Sequence, residues 1–223
     1  MSRRSPSCSR RRELRARAKT QGAATLSDAE LLALLLSPAH PRADIVGKAE
    51  SLLVEAGGFA AALNDSAACG RCAGPTARTD LAVVREAAVR LSRAAVATRP
   101  VISSSPALLA YVRTQLAAAP REEFRVIFLD KKNRLLRDER LGEGTVDHAP
   151  VYPREVARRA LELCASALIL LHNHPSGDPT PSAADVEMTR QVVAAARALN
   201  LAVHDHLVVG RDGVASLKAL GLM

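Results

Sequence analysis

Apolar residues follow two rhythms along this chain. Up to about residue 99 they recur every three or four positions, as buried helix faces require, and beyond it short apolar runs alternate with helical stretches. In the first part LSDAELLALLL, Leu26 to Leu36, opens with Ser27 and carries Glu30 three residues later, a capping box. Further helices fit Ala43 to Ala56 and Leu81 to Ala97. In the second part a helix fits Pro106 to Ala118, a strand Arg125 to Leu129, a turn Asp130-Lys131-Lys132-Asn133 and a second strand Leu135 to Leu141. Pro153 to Cys164 is amphipathic, with Val156, Ala160 and Leu163 on one face. A buried strand at Ala165 to Leu171, a helix at Pro181 to Leu199, a strand at Leu201 to Val209 and a turn at Arg211-Asp212-Gly213 complete the pattern. It predicts an α/β (α+β) domain, a mixed sheet flanked by helices, over residues 101–223, preceded by a small all-α domain over 23–99.

The chemistry concentrates at HNHPSGDPTPSAAD, His172 to Asp185. Residues two apart on an extended backbone point to one side, so His172 and His174 at the end of a strand can reach the same ion. Pro175, Gly177, Pro179 and Pro181 force a turn. Thr180 is expected to cap the next helix with Pro181 at its first position, which returns Ser182 and Asp185 toward the two rings. Two imidazoles and one carboxylate are the ligand set of a catalytic zinc, whose fourth position stays open for water. Water acidified to a pKa of about 7 is a usable nucleophile, given a general base and a donor for the developing oxyanion. Ser182 is placed for the second task.

His-x-His, seven residues, Ser, two residues and Asp resembles the JAMM motif of MPN+ metallo-isopeptidases. TVDHAPVYPREV (Thr145 to Val156), the HNHPSGDPTPS loop and DHLVVG (Asp205 to Gly210) are similar to the RadC family of bacterial JAMM-domain proteins, long labelled DNA-repair proteins. The likeness runs from about Ser103 to the C-terminus, and Leu26 to Leu36 resembles that family's N-terminal domain. The resemblance implies an MPN fold, one zinc on His172, His174 and Asp185, and Ser182 hydrogen-bonding the tetrahedral intermediate of amide hydrolysis. It also implies a glutamate just before the first core strand that takes the proton from water and passes it to the leaving amine. Both Glu122 and Glu123 stand there. The family pattern Arg-Glu-x-Phe favours Glu122, and counting back from the strand favours Glu123. A helix-hairpin-helix is implied in the N-terminal domain, where AACGRCAGPTAR (Ala67 to Arg78) interrupts the usual turn and weakens the case for DNA contact.

Other clusters carry less. Strand alternation puts His204 and His206 on one face and Asp205 on the other, so the three cannot share an ion, although Asp205 or His206 could orient a zinc ligand from behind. A zinc deaminase would need H-x-E and a downstream P-C-x-x-C, and a zincin H-E-x-x-H; neither occurs. Cys69 and Cys72 form a lone C-x-x-C, and with Cys8 and Cys164 are expected to be reduced thiols.

The net charge of +8 suggests a nucleic-acid partner until its distribution is considered. Residues 1–19 hold eight bases against Glu13, +7 of the total, so the body is nearly neutral. Residues 1–22 read as a basic, solvated tail that could give weak nonspecific DNA binding. The tail lacks the apolar centre of a secretory signal and the amphipathic period of a transit peptide. With no long apolar run, the chain is expected to be cytoplasmic and away from membranes. Aromatics make up 2% of residues, so stacking platforms for single-stranded nucleic acid are not expected. The function expected is a JAMM-class zinc hydrolase of a peptide or protein amide bond; the alternative is a DNA-repair or DNA-processing accessory protein.

Overall fold

The computed structural model describes residues 6–40, 44–64, 66–97, 100–101, 105–144 and 151–223, without the side chains of 6–8, 66–68, 70 and 72. The chain divides into two compact units, residues 1–87 and 88–223.

The first unit is helical: α1 (Pro6–Gln21), α2 (Asp28–Leu36), α3 (Ile45–Ala56), α4 (Phe59–Asn64) and the start of α5 (Ser66–Ala97). α2 begins with the Ser27/Glu30 capping box that its sequence requires. Asp44 caps α3, accepting from the amides of Val46 and Gly47, and Ala43 lies outside the described residues. α5 starts well before Leu81 and is kinked at Gly74, whose φ of 78° precedes Pro75. Leu32, Leu36, Ile45, Leu52, Ala77 and Leu81 build the core.

One expectation is corrected here. Residues 6–21 are helix rather than solvated tail, and Leu14 is buried in that core. Four of its five arginines meet partners in the chain: Arg17 pairs with Glu30, Arg10 with Glu13, Arg11 donates to the His40 carbonyl and Arg15 to the Ser37 hydroxyl. A single leucine leaves no hydrophobic period to detect, and ion pairs supply the rest of the contact.

The second unit, beyond the last turns of α5, contains α6 (Pro106–Leu116), β1 (Glu123–Leu129), β2 (Leu135–Glu143), α7 (Pro153–Glu162), β3 (Ala167–Asn173), α8 (Ala183–Ala198), β4 (Ala202–Val209) and β5 (Val214–Ser216). The sheet order is β2-β1-β3-β4-β5. β3 runs parallel to β4, with α8 as the crossover, and the other pairings are antiparallel. One face packs Ile127, Ile169, Leu171 and Leu207 against Leu108, Val112 and Leu116 of α6. The other packs Phe124, Val126, Leu168 and Leu170 against Val156 and Ala160 of α7 and Val192 and Ala196 of α8. β3 is buried at every residue, as a central strand covered on both faces must be. The segment Thr145 to Pro150 lies outside the described residues.

Candidate metal centre

β3 extends two residues beyond the apolar run, so His172 and Asn173 belong to the strand, opposite Val208 and Val209 of β4. The His174 amide still donates to the Val209 carbonyl at 3.0 Å, which fixes the second ring just past the strand end. The loop that follows folds back on the β4–β5 turn: Asp212 N–H donates to the Gly177 carbonyl at 3.1 Å, and Arg211 donates to the Ser176 carbonyl at 3.2 Å. Gly210 has to be glycine for this approach, because a Cβ there would lie 2.0 Å from the Gly177 oxygen.

The helix after the loop begins later than expected. Thr180 does not cap it; its amide and hydroxyl are both captured by the Asp178 carboxylate, at 2.9 and 2.7 Å. Ser182 is the N-cap of α8 and forms a capping box with Asp185. Its hydroxyl accepts from the Asp185 amide at 3.2 Å, and its amide and hydroxyl donate to Asp185 Oδ2, each at 2.7 Å. The cap therefore aims the carboxylate. Asp185 Oδ1 lies 3.3 Å from His172 Nε2 and Oδ2 lies 3.5 Å from His174 Nε2.

His172, His174 and Asp185 thus bring one ligand atom each within 4.8 Å of one another, the only such group of three among the described residues. His172 is buried, while His174 and Asp185 remain partly open to solvent, which leaves one side of the cluster accessible. The two Nε2 atoms face each other at 2.9 Å. His174 Nδ1 lies 2.8 Å from the Asp178 carbonyl, which can only accept, so the hydrogen of the neutral ring sits on Nδ1 and Nε2 presents a lone pair. Such convergence of nitrogen lone pairs beside a carboxylate suits a cation. The charges respond accordingly: the Asp185 carboxylate raises the His174 pKa against the opposing effect of burial, with the Asp178 carbonyl and the Glu122 charge adding to it. Burial pushes the Asp185 carboxyl up, but the adjoining His172 and His174 rings and the Ser182 hydroxyl outweigh it and hold the group well below the usual carboxylate range.

Glu122 and Glu123 are in different surroundings. The Glu122 charge is near enough to act on the His174 ring. Glu123 is held by Arg125 at 3.4 Å and Arg140 at 3.8 Å. The segment carrying both is tied to β3 by Asn173, buried between the two histidines in sequence. Sequence reading passed over Asn173, since one asparagine beside a ligand pair carries no signal of its own.

His206 lies behind the site. Its Nε2 is 2.8 Å from His172 Nδ1, and its Nδ1 is 2.6 Å from the Thr189 hydroxyl on α8. The neighbours in HDH point elsewhere: His204 to the Asn133 side chain at 2.7 Å, and Asp205 to the Ser216 hydroxyl at 2.7 Å and the Lys218 amide at 3.2 Å. Cys69 is buried and Cys164 exposed, neither of them in a disulfide, whereas the Cys8 and Cys72 side chains lie outside the described residues.

A mixed five-stranded sheet with helices on both faces, an N-terminal helical region and a His-His-Asp cluster at the end of its central strand define a JAB, or MPN, type of domain. The family model described as the RadC-like JAB domain matches residues 102–222. The chain is 52% identical over 222 residues to a UPF0758 protein of Rhodobacter capsulatus, across 94% of this chain and 100% of that protein. It is 49% identical over 216 residues to a UPF0758 protein of Ruegeria pomeroyi, across 96% of each. The chain belongs to the RadC family of JAB-domain proteins. Among the described residues no helix is long and apolar enough to cross a membrane.

Proposed function

We propose that residues 101–223 form a zinc-dependent hydrolase of the JAMM class that cleaves an amide or isopeptide bond. The observation that carries this reading is the convergence of His172 Nε2, His174 Nε2 and an Asp185 carboxylate oxygen, with the site open to solvent on one side. Two neutral imidazoles and a carboxylate suit zinc and leave a position for water and substrate. When bound, zinc supplies Lewis acidity, lowering the pKa of water and polarising the scissile carbonyl. Glu122, whose charge acts on the His174 ring, is the general base: it accepts a proton from the attacking water and returns it to the leaving amine. Ser182 serves twice. It orients Asp185 as a helix cap, and its hydroxyl, by turning its one hydrogen from Asp185 Oδ2 toward the substrate, becomes the donor to the oxyanion of the tetrahedral intermediate.

The test is to incubate the zinc-loaded protein with a panel of peptide and isopeptide-linked amides and follow products by mass spectrometry. Hydrolysis that is lost on chelation and restored by zinc supports the reading. Hydrolysis that survives complete removal of metal overturns it.

A further inference from the structure

We infer that Thr189 and His206 are positioning residues that fix the tautomer of His172, so that its Nε2 is presented to the metal as a lone pair. The inference rests on the zinc-centre reading and adds residues to it that touch neither metal nor substrate. His206 and Thr189 are fully buried and His172 is 2% exposed, so water does not serve these groups. Their hydrogen bonds must be satisfied by one another.

The direction of each bond follows from one acceptor. The Thr189 hydroxyl lies 2.6 Å from the Asp185 backbone carbonyl, one helical turn back in α8, and 2.6 Å from His206 Nδ1. Both contacts need a hydrogen, and a carbonyl has none to give, so the hydroxyl donates to Asp185 and accepts from His206. His206 therefore carries its hydrogen on Nδ1. A neutral ring then has none left for Nε2, which must accept the bond from His172 Nδ1 at 2.8 Å. His172 is left with Nε2 bare, 3.3 Å from Asp185 Oδ1 and 2.9 Å from His174 Nε2. The chain of bonds begins on the backbone of one ligand, Asp185, and ends on the ring of another, His172. Reversing it would put a hydrogen on His172 Nε2, inside the ligand cluster. An edge-on contact with Phe124, with ring centroids 5.9 Å apart, keeps the His206 ring in plane for both bonds.

Two measurements on Thr189→Val and Thr189→Ser test this. Valine keeps the shape and removes the hydroxyl, whereas serine restores it. Long-range ¹H–¹⁵N correlation spectra of the metal-free, ¹⁵N-labelled protein report which nitrogen of His172 carries hydrogen. We expect Nδ1–H in the wild type and in Thr189→Ser, and a mixture of tautomers in Thr189→Val. Zinc affinity, measured by competition with a chelator, should fall about 10–100-fold in Thr189→Val and recover in Thr189→Ser. His172 carrying its hydrogen on Nε2 in the wild type, or wild-type tautomer and affinity in Thr189→Val, would overturn the inference. A wild-type protein that binds no zinc contradicts the hydrolase reading instead, and the tautomer pattern still decides the role of Thr189.

Discussion

The Asn173 side chain accepts a hydrogen bond from the Glu123 backbone amide at 2.9 Å, while its amide group donates to the Arg121 carbonyl at 2.9 Å. Those are the two neighbours of Glu122. The residue between the two candidate ligand histidines thus grips the segment that carries Glu122, the proposed general base, and it does so from a buried position. Asn173→Leu would leave a buried amide and a carbonyl unpaired, at a cost of roughly 2 kcal/mol or more. Chemical denaturation should show that loss while zinc content stays near that of the wild type, because neither histidine depends on the carboxamide. Unchanged stability would contradict the grip.

The two glutamates should separate cleanly. Glu122→Gln is expected to lower the rate of amide hydrolysis about 10²–10⁴-fold with metal content intact, the range of a lost general base. Glu123→Gln gives up its ion pairs with Arg125 and Arg140 and is expected to change the rate only slightly. Both variants would be compared at saturating zinc. A larger loss in Glu123→Gln would reverse the assignment.

Ser182→Ala removes the cap of α8 and two of the contacts that aim Asp185. Loss of an N-cap costs about 1 kcal/mol. Thermal unfolding of the metal-free protein should record it, and chelator competition should record weaker zinc binding in the same variant. Ser182→Thr, which keeps the hydroxyl, should recover most of both.

The pH dependence has a definite sign. The Asp185 carboxylate, opposed by burial and helped by the Asp178 carbonyl and Glu122, raises the pKa of His174 above 6.5 in the metal-free protein. This group's contribution to stability is therefore complete below about 6.5 and is lost as pH rises through the raised folded value. His206 behaves in the opposite sense: burial lowers its pKa well below 6.5, so its contribution is present above 6.5 and is lost as pH falls. Zinc must displace the His174 proton, so affinity should weaken by about tenfold per pH unit below the raised value. Chelator competition across a pH series measures this, and affinity that does not change with pH would contradict it.

Leu14 offers a check on the N-terminal unit. Its burial in the helical core predicts that Leu14→Ala destabilises that unit by about 2–5 kcal/mol, the range for a buried leucine. A residue in a solvated tail would show no change. Urea unfolding followed by far-ultraviolet circular dichroism distinguishes the two.

Local signals in the chain account for a good part of this structure. Ser27 and Glu30 mark the start of α2 because a capping box is a property of four consecutive residues. The apolar run before His172 marks β3, and the spacing from His172 to Asp185 marks the candidate site, because strand, loop and capped helix are continuous in sequence. Contacts across the fold left weaker traces. α1 has one buried leucine and many arginines, so its pattern resembles a soluble tail. β5 is three half-buried residues, too short to announce itself. Alternation along β4 misleads at His204, where the register with β3 steps from Val203 directly to Asp205, a bulge that no period of two can express. Thr189, a helical threonine fifteen or more residues from either histidine of the motif or from His206, acquires meaning only when α8 packs on the sheet.

The metal content of the purified protein, beside His174→Ala and Asp185→Ala at equal concentration, tests the zinc centre most directly. Elemental analysis should find about one zinc per chain in the wild type, as three protein ligands and an open position imply, and little in either variant. No metal in the wild type, and none taken up when zinc is added, would contradict it.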